Sequence, residues 1–528
     1  MTEFGVVCGL LAVVAVLATV GRRIGMPDPV MFAIGGLALA ILPGIPVVGL
    51  PPSLVLVVFL PPLIFAAAQD TSWAEIRRDA RAVLLLAVGL VLVTMSAVAV
   101  VAHELAPELT WPAAFALGAI VSPPDTVAAK AIADTLHLPR RLVAILEGEG
   151  LMNDATALVA FQVASGVAVA GAIFSLESAT LRVMYAAAAS VAIGVVVGWL
   201  GRRVSSLTHE PSVQNTVALL LPFAAFLPAE AVHASGVLAV VALALYLSRF
   251  SGLLASSVSR LQGRVLWEMI NFLLTGLSFV LIGLQLRVAA HDVLDRPGRA
   301  LLVAGAVSLT IILVRPLWVF AAAWLSHAAD HMFAESIPAP APRSSVLAVI
   351  SWAGMRGVVS LAVALSLPHF TSTGEPFPGR ALIVFVTFAV ILVTLIGQGL
   401  TLPLLIRRLG IDVIANRTEE QEMSIRLRTA RAALRDLDRY AAEAGTAPEV
   451  VERVRAFYAE RIEELERRRD LRALGLGRDS HASAADAATD ALVRRLVAIE
   501  RSELQRARNE GDVDGPVARR VQHDLDLM

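Results

Sequence analysis

Residues 147–161 read EGEGLMNDATALVAF, which places Glu147, Glu149, Asn153 and Asp154 within eight residues. The run then continues without another charge until Glu177. An unpaired charge at the centre of a bilayer costs about 2.5–3.5 kcal/mol on insertion scales, and more by other estimates. Three carboxylates and an amide in such a helix therefore need partners or water. The surrounding sequence places this helix in a membrane. The chain has 528 residues, of which 57% are hydrophobic and only 17% charged, against about 25% charged in soluble domains.

From Phe4 to Arg407 the apolar residues gather into repeated runs of about 17 to 25, each long enough to cross a hydrocarbon core of about 30 Å. Beyond Arg407 the sequence turns abruptly to Arg, Glu and Ala. The expected organisation is a membrane domain over 1–409 and a charged helical tail over 410–528. Net charge, −1, averages two unlike parts and says little about partners. Cys8 is the single cysteine, which excludes an intramolecular disulfide. MTEFGVVCGL (1–10) lacks the basic region of a signal peptide, so the first run reads as a retained helix.

Apolar runs bounded by turn signals give thirteen spans: 4–20, 29–48, 53–69, 82–102, 111–136, 142–171, 181–200, 212–227, 232–248, 266–286, 300–325, 344–367 and 381–405. Only PAEAVHA separates the eighth from the ninth, which could fuse. With the N-terminus outside, inward loops carry fourteen basic residues, from Arg22 to Arg343, and outward loops five, from Arg182 to Arg380. That asymmetry places the tail in the cytoplasm. An odd number of spans also permits two inverted six-helix repeats about a linking seventh, in which the fifth span corresponds to the twelfth. Both of these look interrupted. Pro123 and Pro124 break the fifth, where Asp125 sits, and Gly354 and Gly357 flank Arg356 in the twelfth. Discontinuous helices at matching positions are pointers to a transport site.

At about 100° per residue, Glu149 and Asn153 lie roughly 40° apart on one face of the sixth span, whereas Glu149 and Asp154 are about 140° apart. The expected division pairs Glu149 with Arg356 and turns Asp154 towards a cavity shared with Asp125. A competing reading makes the cluster an interhelical polar staple. Glu147, near the cytoplasmic entrance, reads equally as a solvated mouth residue or as a participant in the site, and Arg315 as a snorkelling or end-paired side chain. His103, His233 and His369 fall at span ends. Carboxylates suit hard monovalent cations, and a broken helix adds free carbonyls, so the Pro124 carbonyl and the Ser122 hydroxyl join Asp154 and Asp125 as candidate ligands. No HExxH, Walker or credible nucleophile-elbow pattern is present, so the chain does not read as an enzyme.

FLPPLIF (59–65), ALGAIVSPPDTVAA (116–129), LEGEGLMNDATALV (146–159), ASGVLAVV (234–241), FVLIGLQL (279–286), WAGMRGVVSLA (352–362) and IGQGLTLPLL (396–405) together resemble the monovalent cation:proton antiporter family. The similarity is to its sodium/proton exchanger branch, in the bacterial form with a cytoplasmic tail. The resemblance implies thirteen helices, two of them discontinuous and crossed, and a homodimer in the cell membrane. It implies that Asp154 binds cation and proton in competition, that Asn153 supports the site, that Asp125 contributes to coordination, and that Glu149 pairs with Arg356. Two positions depart from the family pattern: Gly150 stands where Ser is usual, and Pro124 where Thr is common.

The expected activity is therefore exchange of sodium or lithium for protons. An Asn-Asp pair, carrying one proton fewer than two aspartates, favours electroneutral exchange. The partners are the alkali cation, protons and the lipid bilayer, with no cofactor and no nucleic acid. A potassium/proton antiporter is the nearest rival, and a passive cation channel a more distant one. Tail helices are expected over 417–443, 447–471 and 483–512, as a solvated appendage or a regulatory, dimer-strengthening domain.

Overall fold

The computed structural model describes residues 3–42, 55–70, 80–135, 138, 140–170, 176–208, 210–249, 257–291, 293, 297–333, 344–409, 412–443 and 447–473. Its elements are helices, with one isolated bridge between Phe370 and Pro376. Two compact units form, Met1–Ala415 and Asn416–Met528. In chain order the helices of the first are α1 (Glu3–Ile24), α2 (Asp28–Ile41), α3 (Leu60–Asp70), α4 (Ala80–Leu105), α5 (Trp111–Val121), α6 (Thr126–Thr135), α7 (Arg140–Ala170) and α8 (Leu176–Ser205). They continue as α9 (Pro211–Ala231), α10 (Gly236–Ser248), α11 (Ser257–Leu284), α12 (Leu286–His291), α13 (Pro297–Phe333), α14 (Ser344–Trp352), α15 (Val358–Leu365) and α16 (Arg380–Arg408). Among the described residues, eight helices are long and apolar enough to cross a membrane.

Local chemistry sets where these helices start and stop. Pro29, Pro112 and Pro211 sit in the first turns of α2, α5 and α9, where a missing backbone donor is harmless. α9 and α10 stay separate. Ser235 caps α10 by accepting the Leu238 N–H (3.3 Å), and the Glu230 carboxylate accepts the Gly236 N–H (2.9 Å). His233, between them, adopts a left-handed φ of 56°. Single π turns interrupt α4 at Leu85–Leu90 and α16 at Val393–Gln398.

Helices approach closely where a side chain is missing. α2 packs on α11, and a Cβ on Gly36 would strike the Val280 carbonyl while one on Gly283 would strike the backbone of Gly36 and Leu37. Small residues at such crossings let van der Waals packing replace the absent hydrophobic drive. Gly283→Ala should therefore cost about 1–3 kcal/mol through overpacking, read as a lower unfolding temperature of the purified protein in detergent.

Apolar side chains gather into two clusters, and α7 contributes to both. Leu142, Leu146 and Phe161 join a large cluster with α2, α4, α5, α6, α11 and α13 to α16, whereas Leu151 and Ala155 join a smaller one with α3, α9 and α10. The polar run of α7 thus lies where the two bodies of packing meet. α17 (Asp412–Glu443), which lies in the second unit from Asn416 onward, and α18 (Pro448–Ala473) are linked by Arg431–Glu466 and Arg455–Asp438 ion pairs. The third expected tail helix, 483–512, falls outside the described residues.

Candidate ion-binding site

Two interrupted helices build the site. α5 ends at Val121 and α6 begins at Thr126; α14 ends at Trp352 and α15 begins at Val358. The two breaks meet directly, since the Asp125 N–H donates to the Met355 carbonyl (2.6 Å). Only Gly at 357 allows this, because a Cβ there would overlap the Asp125 carboxylate. Asp125 caps α6, its Oδ1 accepting the Val127 N–H (2.8 Å).

Arg356 closes the other half of the junction. Its guanidinium donates to the Val121 (3.0 Å), Ser122 (3.2 Å) and Gly354 carbonyls. These include orphan acceptors at the end of α5, where a cation also complements the helix dipole. The Arg356 N–H donates to Thr394 Oγ1 (3.1 Å), on the π turn of α16. π turns recur at functional sites.

The expected Glu149–Arg356 ion pair is not formed. Glu149 is held by Arg315, which donates through both terminal nitrogens to its two carboxylate oxygens (2.6 and 2.9 Å). Both residues are buried, at 1% exposure. Arg315 Nε also donates to the Ile350 carbonyl (3.1 Å), in the last turn of α14. Arg315 therefore neither snorkels nor sits at a helix end; it ties α13 to α7 and α14. The physical reason is division of labour: α5 leaves carbonyls for one guanidinium, and the carboxylate on α7 takes the other. Glu147 pairs with Lys130 (2.9 Å).

Asp154 and Asp125 line one cavity, together with Leu60, Gly150, Thr275, Ser278 and Val358 among others. Asp154 also lines a second, smaller cavity with Ile120, Pro123, Ala157, Leu158 and Val363. Along α7 the first cavity touches the turn before Asp154 and the second the turn after it. Asn153 is fully buried, and neither its Oδ1 nor its Nδ2 has a hydrogen-bond partner. Ser122 and Pro124 are buried but line neither cavity. The Ser122 hydroxyl donates back to the Ala119 carbonyl (3.1 Å), and its own carbonyl serves Arg356.

These features fit what the chain is similar to. The family described as sodium/hydrogen exchanger, transmembrane, matches residues 9–408. An uncharacterized Na(+)/H(+) exchanger of Mycobacterium bovis is 34% identical over 99% of this chain and 96% of its own length. The chain belongs to the sodium/hydrogen exchanger family. An Escherichia coli family member, also described as an uncharacterized Na(+)/H(+) exchanger, is 30% identical over 98% of this chain and 97% of its own. The sodium, potassium, lithium and rubidium/H(+) antiporter of Bacillus subtilis is 35% identical over 77% of this chain and 62% of its own. Among solved structures, the sodium proton antiporter MjNhaP1 of Methanocaldococcus jannaschii shares the fold, with a TM-score of 0.60 at 19% identity over 77% of this chain and 97% of that one.

Two features of this family member were not expected from its sequence. Arg315 occupies the middle of an otherwise apolar run, LTIILVRPLWVF (309–320), and an intramembrane arginine is itself a sign of a buried partner. Thr275 and Ser278 left a weaker signal: two hydroxyls three residues apart in NFLLTGLSFVL (271–281).

Proposed function

We propose that the chain exchanges sodium, or lithium, for protons one for one, with both competing for Asp154 and Asp125 completing the cation's coordination. The observation that carries this reading is the position of Asp154 between two cavities, one on each side along α7, with Asp125 in the first. A carboxylate so placed can be offered to either side of a membrane by a modest shift between the two packing clusters that meet at α7. The cycle uses no cofactor. The Bacillus subtilis relative, whose description includes potassium, keeps potassium as a second substrate reading.

In the proposed topology the protein crosses the cell membrane thirteen times, with its N-terminus outside and its tail in the cytoplasm. The eight long apolar helices supply most crossings. Four shorter ones (Asp28–Ile41, Leu56–Ala68, Trp111–Val121 and Gly236–Ser248) and the α14–α15 pair supply the rest. α5–α6 and α14–α15 take corresponding places in two inverted repeats, and two copies associate as a homodimer.

Everted vesicles with a pH-sensitive dye test the proposal. Added sodium or lithium should alkalinise the lumen of acidified vesicles, and comparison with potassium fixes the preference. Because binding at one carboxylate releases one proton, the apparent cation affinity should fall about tenfold per unit of acidification in the competitive range. A passive channel would instead follow the imposed voltage, and proton flux independent of any alkali cation would end the proposal.

A further inference from the structure

The cavity shared by Asp125 and Asp154 has a second polar wall. α11 lines it with Thr275 and Ser278, which at three residues apart stand about 60° from each other on one helix face. Hydroxyls inside apolar helices usually bond the carbonyl one turn back. Ser96, Ser190, Ser308, Thr310 and Ser351 do so here, at 2.6–2.8 Å. Ser278 does not. It is 2% exposed, its Oγ has no hydrogen-bond partner, and it borders the space that holds both carboxylates. Leaving a buried hydroxyl unpaired costs about 1–3 kcal/mol, so its position calls for an explanation. On the α7 wall of the same cavity, Gly150 offers no side-chain oxygen at all.

The geometry points to Ser278, with Thr275 beside it, as the neutral oxygen ligands of the cation held by Asp154 and Asp125, so that α11 supplies the hydroxyls of the site and sets its preference among alkali cations. This rests on the exchange proposed above. Hard cations take oxygen donors, and discrimination among them follows cavity size and ligand number. Two carboxylates supply charge but little size selectivity; a fixed hydroxyl on the facing helix adds a ligand whose distance from them is set by packing.

The test uses the full chain in proteoliposomes, with proton flux driven by sodium, lithium or potassium. Ser278→Ala should raise the apparent sodium KM about tenfold, the equivalent of about 1.4 kcal/mol, with little change in the maximal rate and an altered ratio among the three cations. Ser278→Thr should restore both. Thr94→Val removes another buried, unpartnered hydroxyl, one that borders neither cavity, and should leave them unchanged. A second readout is independent of turnover. In a Cys8→Ser background, Ser278→Cys should react with a small thiol reagent, and sodium should slow that reaction. An unaltered KM and cation ratio in Ser278→Ala overturns the inference, as does labelling of Ser278→Cys that sodium does not slow; should Ser278→Ala fold poorly, the labelling decides. Wild-type protein without cation-driven flux would instead defeat the exchange proposal itself.

Discussion

Asp154→Asn should reduce cation-driven proton flux to the background of empty vesicles while leaving yield, membrane insertion and unfolding temperature close to wild type. The substitution keeps the shape of the side chain between the two cavities but removes both its titratable proton and its charge. Asparagine offers a cation one neutral oxygen where aspartate offers an anion, and it has no proton to trade. Asp125→Asn removes a charge from the same cavity without touching the shared carboxylate, so it should weaken cation affinity about tenfold, equivalent to about 1.4 kcal/mol, and leave measurable exchange. Sodium-dependent proton flux surviving in Asp154→Asn would refute the assignment outright.

Breaking the Glu149–Arg315 pair should be the most damaging change to stability. Removing one partner of a buried ion pair leaves an uncompensated charge and costs about 3–5 kcal/mol. Glu149→Gln and Arg315→Met should each lower the unfolding temperature in detergent sharply and reduce yield. The double variant should recover much of the loss, since a buried pair can often be replaced by neutral groups of similar volume at little net cost. Recovery should stay incomplete, because Arg315 also satisfies the Ile350 carbonyl, and an orphaned buried acceptor costs about 1–3 kcal/mol. Arg356→Met, by contrast, should not be rescued by Glu149→Gln. If it is, Glu149 answers to Arg356 and not to Arg315.

The contrast between these two arginines marks how far the sequence could be read. The breaks at Pro123-Pro124 and around Arg356 were legible because proline removes backbone donors and paired glycines weaken a helix locally. The angular spacing of Glu149, Asn153 and Asp154 was legible because one helix fixes it. Which guanidinium reaches Glu149 was not, because that depends on the packing of α13 and α14 against α7, and periodicity within one helix is silent about its neighbours. The same limit explains Ser122. A helix break frees carbonyls, but the chain alone does not say that Arg356 takes them. Ser278 was hidden for a related reason: a serine in an apolar span usually bonds its own backbone, and only the cavity shows that this one does not.

The pairing of Arg315 with Glu149 has a consequence for ionic valence. Arg315 and Arg356 bring two positive charges into the interior; Glu149, Asp125 and Asp154 bring three negative ones when ionised. Lys130 pairs with Glu147 (2.9 Å). Among these described side chains one ionised carboxylate is left without a cationic counterpart, and in the proposed cycle a single monovalent cation, whether hydron or alkali metal, neutralises it. A divalent ion such as calcium would overshoot by one unit. Moving that surplus unit across a 100 mV potential involves about 2.3 kcal/mol, so under the proposed exchange the second arginine, by neutralising Glu149, would leave a site matched in valence to one singly charged passenger.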